Sequence, residues 1–362
     1  MKVHLIANMY PSKQHPNYGV FVENTEKILA RSGVAFDRTV VTKQAGSIGK
    51  LIAYGSHFFK VIGKSLFRKY DVTYVHYATH NSIPVLIAKK LNKKMVIYTN
   101  VHGSDVVPEF KKRQKYQPYV KRLLEESDTV ITPSAYYKEL VQQKYGLTNR
   151  IEIFPSGGID KQTFFEKETK LACRELEIDP AYSYIGFVGR IDRGKGWDVY
   201  LKAAKLLKEQ GKLGNCKLLF IGDGLEKESF ETMVDSYGLR DHLVHFPLLS
   251  QQKLNSVYNS MTVFCFPTMR EGESLGLVGL EAMACGTPVI GSSMAGLLDY
   301  MENGRNGFLF EPGSAEGLAA SIDTYMELPE EAKQSMREAA KQTAAAYEVE
   351  AIKPRLTEIF SV

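Results

Sequence analysis

The sequence predicts an α/β protein made of two doubly wound, Rossmann-like domains, each a parallel sheet covered by helices on both faces. Three observations lead there. Short apolar, β-branched runs alternate with helix-like stretches along almost the whole chain, the pattern of parallel strands joined by helical crossovers. The alternation comes in two series, separated by a Pro- and Gly-containing break and a charged, weakly periodic stretch. A chain of 362 residues with 44% hydrophobic and 24% charged side chains can bury two ordinary cores.

The first series opens with an apolar strand at residues 3–8, closed by a turn at Tyr10-Pro11. This opening is too short for the apolar core of a secretion signal, so none is expected. P-N-Y-G-V-F (residues 16–21) leads into a helix at residues 20–32, and Gly19 would let a backbone N–H approach an anion. Strands follow at residues 38–42, 72–76, 94–99, 129–132 and 151–154, with a helix at residues 135–144. V-H-G-S-D (residues 101–105) comes directly after the fourth strand, at the carboxyl edge of the sheet where doubly wound folds bind ligands. His102 is therefore the candidate active-site histidine. His76, His80 and Asp105 are candidates for the acceptor side, with a structural role at a strand end the competing reading for the two histidines.

P-S-G-G (residues 155–158) and the stretch 161–180 read as a linker containing a helix, so the expected domains are 1–165 with a terminal helix 348–362, and 166–347. The second series has strands at 184–188, 217–221, 243–246, 262–266 and 288–291. Its first strand runs into G-R-I-D-R-G-K-G (residues 189–196), where Arg190 and Lys195 supply a planar fork and a point charge, the two usual ways of holding a diphosphate. This nearly matches G-x-x-x-x-G-K-[ST], but Gly196 replaces the hydroxyl that would bind magnesium, so a nucleoside triphosphatase is a poor reading. E-S-L-G-L-V-G-L-E (residues 273–281) places two carboxylates eight residues apart across a loop that enters a helix near Gly276 or Leu277. The free N–H groups and the dipole of that helix suit a phosphate. Glu273 and Glu281 would accept hydrogen bonds from hydroxyls on either side of it; taken alone, the pair also fits an acidic loop plus a solvated helix Glu. After Pro329 a helical pattern runs to the end, interrupted at Pro354.

In order and spacing, V-G-R-I-D-R-G-K-G, F-I-G-D-G-L-E (residues 220–226), F-P-T-M-R-E-G-E-S-L-G-L-V-G-L-E-A-M-A-C-G-T-P-V-I and M-A-G-L-L-D-Y-M-E-N-G-R-N-G-F-L-F (residues 294–310) resemble the C-terminal half of family-4 retaining glycosyltransferases. The likeness is strong over residues 184–325 and weak before them. It implies the GT-B fold, with the two domains facing across a cleft and the last helix crossing back onto the first. It implies a nucleoside-diphosphate sugar as donor, UDP favoured, and a glycan or lipid-linked acceptor in cell-envelope polysaccharide or glycoconjugate synthesis. Retention would come from same-face attack, the leaving phosphate taking the acceptor proton.

By the same resemblance Arg190 and Lys195 serve the leaving group, and Glu273 binds donor-sugar hydroxyls while the backbone of Ser274, Leu275, Gly276 and Leu277 orients sugar and phosphate. Glu281 holds the ribose, Gly189, Gly222, Asp223 and Gly224 lie by the nucleotide, Gly19 approaches the donor phosphates, and His102 approaches the donor sugar. The chain departs from the family at Tyr18-Gly19, where two glycines are frequent, at Gly157, where Asn is usual, and at Asp299, where Glu is common. No D-x-D occurs, so no carboxylate pair is set against the diphosphate, and neither metal nor other cofactor is expected. A GT-B sugar-nucleotide epimerase or a non-catalytic sugar-nucleotide-binding protein remains the alternative. A phosphorylase is usually far longer, and a dinucleotide dehydrogenase lacks its G-x-G-x-x-G here.

Charge is lopsided. Residues 1–160 carry 24 Lys and Arg against 12 Asp and Glu, a net of +12, and the remainder carries −7. Between Thr39 and Tyr70 no acid occurs, while Lys43, Lys50, Lys60, Lys64, Arg68 and Lys69 are interleaved with Leu51, Ile52, Phe58, Phe59, Ile62 and Phe67. That pattern suits a basic amphipathic helix facing an anionic membrane, or equally a solvated rim above a core-facing stripe. Lys111, Lys112, Arg113, Lys115, Lys121 and Arg122 form a second cluster. Nucleic acid is disfavoured because no recognition motif accompanies the charge. No apolar stretch approaches the roughly 20 residues needed to span a bilayer. Cys173, Cys216, Cys265 and Cys285 have neither metal-ligand nor redox spacing and are expected to be reduced thiols of a cytoplasmic protein, peripheral on the membrane if the basic face meets it.

Overall fold

Each apolar run that alternates with a helix becomes a strand in one of two all-parallel sheets. The computed structural model describes residues 1–15 and 18–361. Its chain divides into two units, Met1–Gly158 with Val349–Val362, and Ile159–Glu348.

The first unit contains β1 (Lys2–Tyr10), β2 (Ala35–Thr42), β3 (Val72–His76), β4 (Ile97–Asn100), β5 (Thr129–Thr132) and β6 (Arg150–Ile153), in the order β2-β1-β3-β4-β5-β6. Helices α1 (Val20–Arg31), α2 (Ser47–Phe67), α3 (Ala78–Leu91), α4 (Gln117–Glu125) and α5 (Ala135–Tyr145) connect them. The chain steps from β1 out to β2 and returns past β1 to β3, so the strand order reverses between β1 and β3. On one side of the sheet Ile6 and Val75 pack with Val61, Val85, Val120 and Val141; on the other Leu5 and Tyr74 pack with Val22, Leu29, Leu356 and Phe360. Both faces being buried explains why these strands read as continuous apolar runs instead of alternating ones.

The second unit repeats the plan with β7 (Ser183–Val188), β8 (Cys216–Ile221), β9 (Leu243–Phe246), β10 (Met261–Phe266), β11 (Val289–Ser292) and β12 (Gly307–Phe310), in the order β12-β11-β10-β7-β8-β9. Here the reversal lies between β7 and β10. Its helices are α6 (Thr169–Glu175), α7 (Trp197–Glu209), α8 (Lys227–Ser236), α9 (Gln251–Ser260), α10 (Leu277–Ala284), α11 (Ala315–Glu327) and α12 (Glu330–Ala345). A last helix, α13 (Val349–Phe360), belongs to the first unit.

Four details differ from the sequence reading. Strand β12 was not expected: four residues at a sheet edge leave too little pattern to read. The fourth strand starts at Ile97, after a turn at residues 93 and 94 that leads out of α3. The stretch 159–180 is no free linker. Lys167 donates its backbone N–H to Asn259 Oδ1 at 2.7 Å, and the amides of Asn255 and Asn259 donate to the Phe165 carbonyl at 2.8 and 2.9 Å, so the segment is tied to α9 and the unit boundary falls at Gly158/Ile159. Pro354 breaks nothing. It sits inside α13 on the exposed side, where the carbonyl left without its N–H partner faces water. The bend comes earlier, between α12 and α13, where the Tyr347 carbonyl accepts from Ile159 N–H at 2.8 Å.

All four cysteines are free and buried, and among the described residues no helix is long and apolar enough to cross a membrane. The single tryptophan, Trp197, lies in the second unit, which separates the two cores experimentally. Leu356→Ala opens a cavity under α13 in the first unit and should cost about 2–5 kcal/mol. Urea unfolding followed by far-UV circular dichroism should shift to lower denaturant while the Trp197 fluorescence transition stays in place. Equal shifts of both probes would mean that the cores do not unfold separately.

Candidate functional site

In the second unit the candidate residues cluster at the carboxyl ends of the strands, on the loops that flank the reversal between β7 and β10, where open parallel sheets bind ligands. The loop after β7 holds Gly189, Arg190 and Lys195, and the loop after β10 holds Glu273, Ser274, Leu275 and Gly276 before α10 begins at Leu277. Close backbone packing brings the loops together. Gly196 has φ +81°, and a Cβ there would lie 1.7 Å from the Pro267 carbonyl oxygen; a Cβ on Gly222 would lie 1.9 Å from that of Gly189. Only glycine permits either approach. The loop after β8 is held the same way: Ile191 N–H donates to the Asp223 carbonyl (3.0 Å), Glu226 N–H to the Ile191 carbonyl (2.9 Å), and Asp223 Oδ1 accepts from Gly224 N–H (2.9 Å).

Lys195 and Glu273, 78 residues apart in sequence, meet across this reversal with Nζ 2.8 Å from Oε2. Both side chains are largely buried. Burial alone would push the Glu273 carboxyl up, but the charge and hydrogen bond of Lys195, with Arg270 and the Thr268 hydroxyl at 3.4 Å, outweigh it and hold the group below the usual carboxylate range. The backbone of Glu273 is pinned as well, its N–H to the Arg270 carbonyl and its carbonyl to Gly296 N–H (2.9 and 3.0 Å). Arg190 is half exposed and forms an ion pair with Asp192 on the same loop.

Glu281, on the second turn of α10, stands apart from this pair. Its Oε2 accepts from the Tyr258 hydroxyl at 3.0 Å. Desolvation dominates and pushes its carboxyl up to about 7, the Tyr258 hydrogen bond opposing. At the other end of α10 Tyr300 donates to the Gly276 carbonyl at 3.1 Å and fixes the entry to the helix. Helix α10 begins four residues after Glu273, and no side chain caps its start.

In the first unit the candidates flank the reversal between β1 and β3. His76 ends β3 and its Nδ1 lies 2.9 Å from His102 Nε2, the rings stacked at 13°. Desolvation lowers His102 to about 3, and desolvation, reinforced by repulsion from His102, puts His76 well below the ordinary histidine range. Both imidazoles are therefore neutral at pH 7, one donating to the other. Phe21 and Tyr77 pack on the His102 ring, with centroids 4.5 and 5.3 Å away. Asp105, expected on the acceptor side, is a buried backbone clamp instead: Oδ1 accepts from His102 and Gly103 N–H, each at 3.0 Å, and Oδ2 from Ala78 N–H at 3.1 Å. His80 lies apart from the pair, between the rings of Tyr54 and Tyr116. Gly19 immediately precedes α1; Pro16 and Asn17, in the same loop, lie outside the described residues.

Sequence reasoning missed Tyr258, Thr268, Arg270 and Tyr300, which act on Glu281, Glu273 and the start of α10. It also missed Asn8, whose Oδ1 and the Nε2 of His76 are buried without a hydrogen-bond partner at adjacent strand ends. Only Asn8 carried a signal, a polar residue late in an apolar first strand. Among the described residues no group of His, Cys, Asp and Glu is arranged to hold a metal ion.

Two family models match the chain, "Glycosyltransferase Family 4" over residues 2–160 and "Glycosyl transferases group 1" over residues 170–343. A D-inositol 3-phosphate glycosyltransferase of Pseudarthrobacter chlorophenolicus is 30% identical over 202 residues, 55% of this chain and 47% of that protein. The chain thus spans about half the length of that relative. A 41.2 kDa protein in the cps region of Klebsiella pneumoniae is 28% identical over 300 residues, 81% of this chain and 80% of its own. Among solved structures, Anabaena HepE in complex with UDP-glucose superposes with a TM-score of 0.80 at 18% identity, covering 99% of both chains, and shares the fold.

Glu281 yields a stability test. Its folded pKa is raised, so the stability it allows is full below the unfolded value near 4.5 and is lost as pH rises through about 7. Glu281→Gln keeps an acceptor for Tyr258 without the charge. It should be more stable than the parent at pH 8, by on the order of 1–3 kcal/mol, and indistinguishable from it near pH 4.5 in urea titrations. A difference of the same size at both pH values would show that burial of the charge is not its source.

Proposed function

We propose, from the premise that the chain belongs to the family-4, group 1 glycosyl transferases, that it transfers a sugar with retention of configuration from a nucleoside-diphosphate donor to a glycan or lipid-linked acceptor. The observation that carries this reading is the Lys195–Glu273 contact beside the start of α10. Breaking a sugar–diphosphate bond builds negative charge on the leaving phosphate and oxocarbenium character on the sugar. Lys195 and the N–H groups of α10 would stabilise the first, with Arg190 on the adjoining loop. Glu273, kept ionised by Lys195, would accept from donor-sugar hydroxyls; because the two are joined, the phosphate ligand and the sugar ligand keep a constant separation. Glu281 would accept from the ribose hydroxyls, and the backbone of residues 222–224 would lie by the base.

His102 would approach the donor sugar as a neutral imidazole, which adds no positive charge beside an oxocarbenium-like centre; His76 holds its ring. The cations and the helix terminus supply the charge that a divalent metal would otherwise bring, so the reaction is proposed to be metal-independent. UDP-glucose, the ligand named for the Anabaena neighbour, makes UDP-sugars the first donors to test. The cps-region relative favours polysaccharide synthesis as the setting.

The proposed acceptor side includes an anionic membrane surface. Helix α2 leaves Ile48, Leu51, Ile52, Phe59 and Phe67 largely exposed, which a core-facing stripe would not do. Fewer cations are available than the sequence suggests: Lys64 and Arg68 bind Asp37 at 2.5 and 2.7 Å. Lys43, Lys50, Lys60 and Lys69 stay exposed and could each add about 1 kcal/mol at such a surface.

Two measurements check this. Lys195→Ala should lower turnover at saturating donor by about two to three orders of magnitude. It also leaves Glu273 buried without its counter-charge, so Lys195→Ala with Glu273→Gln serves as the folding control. Near-normal turnover in Lys195→Ala, a β-linked product from an α-linked donor by proton NMR, or loss of activity to chelator that magnesium restores would overturn the assignment. For the membrane, cosedimentation should require anionic vesicles, fall with salt, and weaken in Lys50→Glu with Lys60→Glu. Equal recovery on neutral vesicles would leave α2 as a solvated surface.

A further inference from the structure

We infer that the groove between α3 and α4 binds one anionic, phosphate-headed lipid, its aliphatic chain lying along the helices and its headgroup at the carboxyl end of α3. These helices already bury one apolar side each: Val85 and Ala88 of α3 and Val120, Leu123 and Leu124 of α4 lie in the sheet-facing core. A helix covering a sheet normally turns a polar face outward. Helix α3 instead carries a second apolar row, Ile83 and Ile87, continued by the largely exposed Leu91 and flanked by Leu86, which also packs against the core. With Tyr119 of α4 this row lines an open groove of about 700 Å³, the size and character of small-molecule sites.

The polar groups of the groove lie towards one end and are mostly cationic. Lys89 is held by the Met95 carbonyl at 2.6 Å, and Arg122 by Glu126, the one acid of the lining, at 2.6 Å. Lys90 and Lys93 are exposed and, among the described residues, form no ion pair. They sit where α3 ends, where the helix dipole favours the lysines and gives an anion no help, so the attraction for a negative head comes from the two ammonium groups themselves, set next to an apolar trough. A peptide is the poorer occupant, because the apolar floor offers nothing to its backbone N–H and C=O groups, whereas an aliphatic chain needs no partner.

The placement also says what the occupant does. Helix α3 runs from the carboxyl end of β3, where His76 lies, to the amino end of β4. The lysines therefore sit at the opposite sheet edge from His76 and His102, and the bound lipid is an anchor, not the molecule that reacts. This goes beyond the proposed transfer reaction and is independent of helix α2.

Isothermal titration of the full chain with dodecyl phosphate below its micellar concentration tests the inference. One saturable site is expected, at least tenfold weaker in Lys90→Glu with Lys93→Glu and in Ile87→Asp, whose side chain is partly exposed and outside the core. Lys50→Glu with Lys60→Glu should bind like the parent, which separates this site from the membrane face of α2. Dodecyl maltoside binding as tightly would reduce the groove to a nonspecific apolar surface, and inorganic phosphate competing fully would reduce the lysines to a free-anion site. Either result, or unchanged binding in both groove variants, overturns the inference.

Discussion

An ammonium and a carboxylate withdrawn from water are tolerable only together, and the Lys195–Glu273 pair imposes that constraint on everything around it. The loops after β7 and β10 must end within hydrogen-bond reach of each other, which the reversal of strand order between those neighbouring strands permits. Backbone must then pack on backbone, which is why Gly196 and Gly222 lie against carbonyl oxygens of adjacent loops. Thr268 and Arg270 complete the support of the carboxylate, and the Gly296 N–H holds the Glu273 backbone carbonyl. The charge is thereby arranged before any ligand arrives, the condition under which electrostatic stabilisation of a leaving group is most effective.

The two glutamates of α10 and its entry loop show how environment divides identical side chains. Glu273 has a buried cation beside it and stays ionised; Glu281 has a phenol and burial, and sits near the point of protonation at neutral pH. The first unit uses burial differently. His76 and His102 exclude water from each other and remain neutral, and the Asp105 clamp sets the loop that carries His102. Each sheet thus presents its polar groups at the same edge while keeping both faces apolar.

The helical layer of the first unit departs from that economy. Helices α2 and α3 expose large apolar side chains beside lysines, some of which (Lys50, Lys60 and Lys90) form no ion pair among the described residues, although their inner sides already complete the core. Apolar surface of this kind gains nothing from the fold itself. That chemistry, aliphatic and aromatic with cationic margins, is what the proposed membrane face and lipid groove rest on.

Much of this was legible in the sequence, because strands buried on both faces and loops that hold anions leave local signatures. The two series of strands, the start of α10 near Gly276, and the cations and carboxylates of the β7 and β10 loops could all be read from spacing and residue type. Other properties belong to contacts between distant segments. Pairing of Lys195 with Glu273, capture of Lys64 and Arg68 by Asp37, the Tyr258 partner of Glu281 and the clamp made by Asp105 join residues that no short-range pattern connects. Periodicity gave α2 an apolar stripe but not the direction in which it faces, since a helix can turn either way until its neighbours pack. Residue type and spacing determined which groups were available and on which elements; only the packing of the sheets decided which of them meet, because burial and distance set whether a charge is paired, neutralised or left for a ligand.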